Sequence, residues 1–127
     1  MNTAFVFPGQ GSQSVGMLAG AAEHWSIIRE TFREASDKLG YDLWKLCQDG
    51  PAEELGRTEI TQPALLTASV ALWRQWLVSG GPMPACVAGH SLGEYSALVA
   101  AESMNFFDAI RLVRLRGELM QEAVPAG

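Results

Sequence analysis

The stretch "ACVAGHSLGEYSALVAA", residues 85–101, decides the fold. Its first part, "ACVAG" (85–89), is a short apolar run of the kind that forms a buried strand, and "LGEYSALVAA" (92–101) reads as a helix of small residues. Between them, Gly89-His90-Ser91-Leu92-Gly93 leaves only a few residues for the passage from strand to helix. Such a turn holds its serine strained and exposed, and its glycines supply the room that close packing needs. The helix that follows directs its first N–H groups at the turn. The N–H of Leu92 is therefore placed to stabilise an oxyanion formed when Ser91 attacks a carbonyl.

Ser91 is thus the candidate nucleophile, and it needs a proton acceptor. The chain holds two histidines, His24 and His90. Neighbouring side chains at a sharp turn diverge, so the His90 ring is not expected within ~2.6–3.2 Å of the Ser91 hydroxyl. It is expected to pack or hydrogen-bond beneath the turn. His24, beside Glu23 at the start of a helical pattern, reads as a solvated surface residue. No base is found among residues 1–127.

Upstream, "TAFVF" (3–7) reads as a second buried strand, running into the glycine-rich "PGQGSQ". Gly9-x-Gly11 after a strand matches part of a dinucleotide loop. The third glycine is misplaced, no Gly-Lys-Ser/Thr follows, and Pro8 interrupts the passage to a helix. The better reading uses the rule that parallel sheets place their sites where loops leave the carboxyl ends of neighbouring strands. There Gln10, between two glycines, brings a second backbone N–H to the serine's oxyanion.

The remaining segments read as helices. "EHWSIIRETFREASDKLG" (23–40) puts Trp25, Ile28, Phe32, Ala35 and Leu39 on one face and Gly40 at its end. Asp42 caps a short helix ending near Gly50, and Pro51 takes the first position of another. "TQPALLTASVALWRQWLVSGGP" (61–82) is longer, with Leu65, Ser69, Leu72 and Trp76 sharing a face. "NFFDAIRLVRLRGELMQEAV" (105–124) closes the chain, capped by Asn105. Strand, helices, strand, tight turn and helices is the grammar of an α/β fold with a parallel sheet, although only two strands are visible.

In that last helix Phe106, Ala109, Ile110, Val113, Gly117 and Met120 cluster on one side at roughly 100° per residue. Arg116 falls inside the arc, whereas Arg111 and Arg114 point away. A guanidinium on a core-facing stripe cannot shed its charge and needs an anionic partner. A structural carboxylate such as Glu94 or Glu102 would serve, and so would a substrate carboxylate gripped in bidentate fashion.

The net charge of −5 suggests neither a nucleic-acid partner nor an anionic membrane surface. No apolar stretch approaches the ~20 residues that span a bilayer, and the start of the chain lacks a basic, then apolar, signal pattern. Cys47 and Cys86 have no metal spacing and read as free, buried thiols of a reducing cytosol. Apolar residues make up 48% of the chain before its 13 glycines are counted, high enough to suggest a core that expects further cover.

Together "FVFPGQGSQSVGM", "TQPALLTASVAL", "GHSLGEYSALVAA" and "RLVRLRGELMQEAV" resemble, in order and spacing, the bacterial malonyl-CoA:acyl carrier protein transacylases. These belong to the acyltransferase family of fatty-acid and polyketide synthesis, and the resemblance runs from residue 4 to the end. It implies an α/β-hydrolase-like parallel sheet flanked by helices, with Ser91 on a nucleophile elbow. It implies a ping-pong transfer of malonyl from malonyl-CoA to acyl carrier protein, without metal or organic cofactor. Gln10 and Leu92 carry over as the oxyanion hole and Arg116 as the clamp on the malonyl carboxylate. The family's general-base histidine and its ferredoxin-like subdomain lie in the second half of the catalytic domain. This chain then corresponds to the N-terminal part of that domain, and residues 1–127 alone are expected to be inactive. The rival readings are a serine hydrolase or thioesterase of α/β type and a non-catalytic fragment that retains the motif.

Overall fold

A computed structural model describes residues 3–123. Strands β1 (Ala4–Phe7) and β2 (Cys86–Gly89) pair in parallel, with Ala4 opposite Cys86 and Phe7 opposite Gly89. The N–H of Ala85 adds a rung by donating to the Thr3 carbonyl at 2.7 Å. The fold is mixed α/β with a small parallel sheet, two-stranded among the described residues. Both strands end at the same edge, so the loops after Phe7 and Gly89 emerge side by side.

One sheet face is packed: Phe5 meets Trp73 edge-on at 5.2 Å and lies 5.0 Å from Trp76. The other face, with Ala4, Val6, Cys86 and Ala88, is exposed, Val6 to 76%. This corrects the reading of both cysteines as buried. Cys47 is buried and Cys86 is exposed.

The helices are α1 (Ala19–His24), α2 (Ser26–Leu39), α3 (Leu43–Asp49), α4 (Ala52–Leu55), α5 (Thr58–Val78), α6 (Gly93–Ala100) and α7 (Phe106–Ala123). The segment expected as one helix from Glu23 is broken at Trp25, whose extended backbone separates α1 from α2 and leaves its ring exposed. Ile28, Phe32, Ala35 and Leu39 form the buried face as read, and Gly40 ends α2 at φ 83°. Asp42 caps α3 by accepting from the Lys45 N–H at 3.0 Å. Pro51 is the N-cap of α4 rather than its first helical residue.

Helix α5 is the central post. It begins three residues before the expected Thr61 and is buried on every side from Ile60 to Ala71. A helix apolar all round belongs inside a core, which is why no single buried face describes it. Of the four residues read as sharing a face, Leu65 and Ser69 are buried, Leu72 is 44% exposed and Trp76 is half-buried. Helix α7 packs along α5, and the decisive contact is at Gly117. A Cβ there would sit 2.7 Å from Glu59 Cα and 2.8 Å from the Thr58 carbonyl oxygen, so only glycine lets the backbones meet. Asn105 caps α7: its Oδ1 accepts from the Asp108 N–H at 2.8 Å and its Nδ2 donates to Asp108 Oδ2 at 2.9 Å. Val124, the expected last residue of this helix, lies outside the described residues. No helix among them is long and apolar enough to cross a membrane.

Candidate active site

Ser91 links β2 to α6 with φ 57°, in the left-handed region, and Leu92 at φ −53° and ψ −36° begins the helix. For a residue with a Cβ that conformation costs roughly 1–2 kcal/mol, and the surrounding backbone enforces it. A Cβ on Gly89 would lie 1.9 Å from the Gly93 carbonyl oxygen, and one on Gly93 would lie 2.3 Å from that of Phe7. The first turn of α6 therefore folds over the end of β2 while touching the end of β1. Both glycines of the five-residue pattern are required by contact.

The Gly9 loop closes the arrangement. A Cβ on Gly9 would come within 2.8 Å of the His90 carbonyl oxygen and 3.9 Å of the Leu92 nitrogen. This presses the loop carrying Gln10 against the serine turn. The Gln10 side chain is turned away from it, donating from Nε2 to Thr58 Oγ1 at 3.3 Å, which anchors the loop to the start of α5. Leu92, at the N-cap of α6, has one of the four N–H groups that a helix start leaves without an intrahelical acceptor.

Arg116 reaches the same place from α7. Its Nη2 donates to Ser91 Oγ at 3.0 Å, its Nη1 donates to Gln62 Oε1 at 2.8 Å, and its guanidinium carbon stands 5.6 Å from the centre of the Tyr95 ring. Among the described residues Arg116 makes no ion pair, and Glu94 and Glu102 are both exposed. Neither of these two carboxylates takes the structural role. Arg111 is exposed as read. Arg114 is not free: its Nη1 donates to the Leu39 carbonyl at 2.9 Å, tying α7 to the end of α2.

The histidine expectations divide. His90 is exposed rather than packed beneath the turn, and the Ser91 hydroxyl is held by Arg116 instead. His24 is exposed as read, but at the end of α1 rather than at a helix start. Gln62 and Tyr95 were not singled out from sequence. A lone amide beside Pro63 in an apolar run was the available signal for Gln62. Beyond Arg116, α7 continues as a groove of about 380 Å³ lined by Tyr95, Leu112, Leu115, Leu119 and Met120.

A left-handed serine thus lies beside the Gly9 loop and bonds to an arginine that pairs with no carboxylate among the described residues. The profile described as "Acyl transferase domain" matches residues 4–127. The chain belongs to this acyltransferase family. It is 71% identical over 124 residues to a malonyl CoA-acyl carrier protein transacylase of Salmonella typhimurium, covering 98% of this chain and 40% of that protein. The crystal structure of an acyl carrier protein S-malonyltransferase from Vibrio cholerae superposes with a TM-score of 0.97 at 63% identity, over 100% of this chain and 42% of the other. A malonyl-transacylase in complex with its type II polyketide acyl-carrier protein gives the same TM-score and identity, over 98% and 40% of the two chains. The chain thus spans about 40% of the length of these acyltransferase relatives.

Proposed function

We propose that the protein to which this chain belongs transfers a malonyl group from malonyl-CoA to the phosphopantetheine thiol of acyl carrier protein, through an ester on Ser91, in fatty-acid biosynthesis. The observation that carries this reading is the Arg116 guanidinium, 3.0 Å from Ser91 Oγ and without a carboxylate of its own among the described residues. Arginine cannot shed its charge, so a half-buried guanidinium favours a ligand that brings the anion with it. An acyl group ending in a carboxylate does so; a simple ester substrate does not. The relatives, a malonyl CoA-acyl carrier protein transacylase and a malonyl-transacylase bound to its carrier, support the same acyl group and the same carrier.

In this reading the turn at Ser91 is a nucleophile elbow. Its Oγ bonds to the thioester carbon, the hydroxyl proton passes to a base, and the C–S bond breaks to release coenzyme A. The N–H groups of Leu92 and Gln10 hold the oxyanion that forms on the way. The carrier's thiol then attacks the ester, and Ser91 regains its proton. The base comes from outside residues 1–127, since neither His24 nor His90 hydrogen-bonds Ser91. This chain is the N-terminal part of the large α/β domain, and the base and a ferredoxin-like subdomain belong to the remaining length. The chemistry needs no metal or organic cofactor, and a coenzyme A thioester substrate suits the cytoplasm.

The test is incubation of the full-length protein with malonyl-CoA. One malonyl group should map to Ser91, persist until a thiol acceptor is added, and be lost in Ser91→Ala. An adduct released to water without an acceptor would make the protein a hydrolase.

A further inference from the structure

We infer that Gln62 is a positioning residue whose side-chain carbonyl sets the orientation of the Arg116 guanidinium, and with it the preference for acyl groups that end in a carboxylate. The inference rests on the acyl-transfer reading of the same site. Gln62 is 0% exposed, in the enclosed stretch of α5 where the other buried polar side chains are the hydroxyls of Thr61, Thr67 and Ser69. A buried amide is costly unless its polar atoms are paired. Its Oε1 accepts from Arg116 Nη1 at 2.8 Å, whereas its Nε2 faces Met120 Sδ at 3.2 Å, a weak acceptor. The strong bond is the one to the cation. It also fixes the amide's direction, because the reverse orientation would set an NH2 group against the guanidinium.

Arg116 has a long, rotamer-rich side chain and meets three groups: Gln62 at Nη1, Ser91 at Nη2 and the Tyr95 ring. Ser91 is the reacting atom and must exchange partners during a turnover. Tyr95 offers a face without fixing rotation in its plane. Gln62 is therefore the contact that holds the guanidinium's direction while Nη2 changes acceptor. Its own position is secured by the backbone. Gly117, next to Arg116, touches Thr58 and Glu59, and Gln62 lies one helical turn beyond Thr58. Thr58 also accepts from Gln10, so residues 58 and 62 of α5 serve the loop and the cation together.

The experiment compares kcat/KM for acylation of Ser91 by malonyl-CoA and by acetyl-CoA in the full-length protein. Gln62→Met keeps the side-chain volume and removes the acceptor. The malonyl-to-acetyl ratio should fall roughly tenfold, the size expected from one lost hydrogen bond, mainly through a higher KM for malonyl-CoA. Gln62→Glu should lower the ratio further, because its carboxylate competes for the same guanidinium. In an Arg116→Ala background, Gln62→Met should leave the ratio where Arg116→Ala set it. Equal losses for both donors, or a ratio that still falls without Arg116, would overturn the inference. Should the Met variant fail to fold in a thermal melt, the Glu variant decides on the same ratio. Failure of the underlying reading is distinct: the unsubstituted protein would then form no malonyl ester on Ser91.

Discussion

Arg116→Ala is the perturbation that separates the proposed clamp from a structural arginine. In the present geometry one guanidinium nitrogen is held by Gln62 and the other points at Ser91 Oγ. A malonyl carboxylate delivered to Ser91 would replace a neutral hydroxyl as the acceptor on Nη2, in a half-buried setting where its charge is only partly screened. Hydrogen bonds to charged groups contribute about 1.5–3 kcal/mol each. A carboxylate gripped in bidentate fashion by two of the N–H donors that Gln62 leaves free makes two of them, which, discounted for partial exposure, amount to about 2–4 kcal/mol. At about 1.4 kcal/mol per tenfold, kcat/KM for malonyl transfer should fall roughly 30- to 1,000-fold. Acetyl-CoA brings no carboxylate and leaves the cation without an anion, so its transfer should change by less than about tenfold. The assay is stopped-flow acylation of the full-length protein with each donor, with mass spectrometry reporting the ester on Ser91. Equal losses for the two donors would refute the clamp and return Arg116 to a packing role.

Two further outcomes follow from the backbone and the core. Gly93→Ala places a Cβ 2.3 Å from the Phe7 carbonyl oxygen; it should cost about 1–3 kcal/mol in denaturant unfolding and, in the proposed reading, slow acylation with both donors alike, because the loops after Phe7 and Gly89 move apart. Burial raises the Cys47 thiol from 9.0 to about 12 and, as the largest cause, the Tyr41 phenol from 10.0 to about 12. Both groups keep their protons in the fold at a pH where the unfolded chain releases them. Stability should therefore be intact below about pH 9 and fall as pH rises towards about 12, and Cys47→Ala should flatten that decline in denaturant midpoints.

The turn at Ser91 is legible in the chain because its causes are local. Gly89 and Gly93 are forced by contacts of the same strand-turn-helix unit and its neighbouring strand, so five letters and their flanks carry the geometry. Arg116 is legible by periodicity, since Val113 and Gly117 beside it on α7 are buried, although Met120, read on the same side, is exposed. Helical periodicity, however, tells which residues share a face and not which faces meet a core. That is why Leu65 and Leu72 share a face yet differ in burial, since α5 is enclosed from Ile60 to Ala71 and then emerges, and why Trp25, expected on the apolar face, is exposed one residue before α2 starts. Gln62 is the opposite failure. A polar letter in a helix carries no mark of burial, and its partner lies 54 positions away.

The apolar surfaces extend the same reasoning. A strand in a sheet covered on both faces is apolar on both sides, and β1 and β2 have that composition, yet only the Phe5 side is packed. Val6, Ala88 and Cys86 are exposed on the other side, and Leu112, Leu115 and Leu119 form an exposed stripe on α7. Exposed singly, such residues need no account; grouped on a strand face and a helix stripe, they do. In the proposed reading the remaining length of the acyltransferase domain supplies the cover and the base together. The same burial would lower the dielectric around Arg116 and strengthen its hold on a carboxylate.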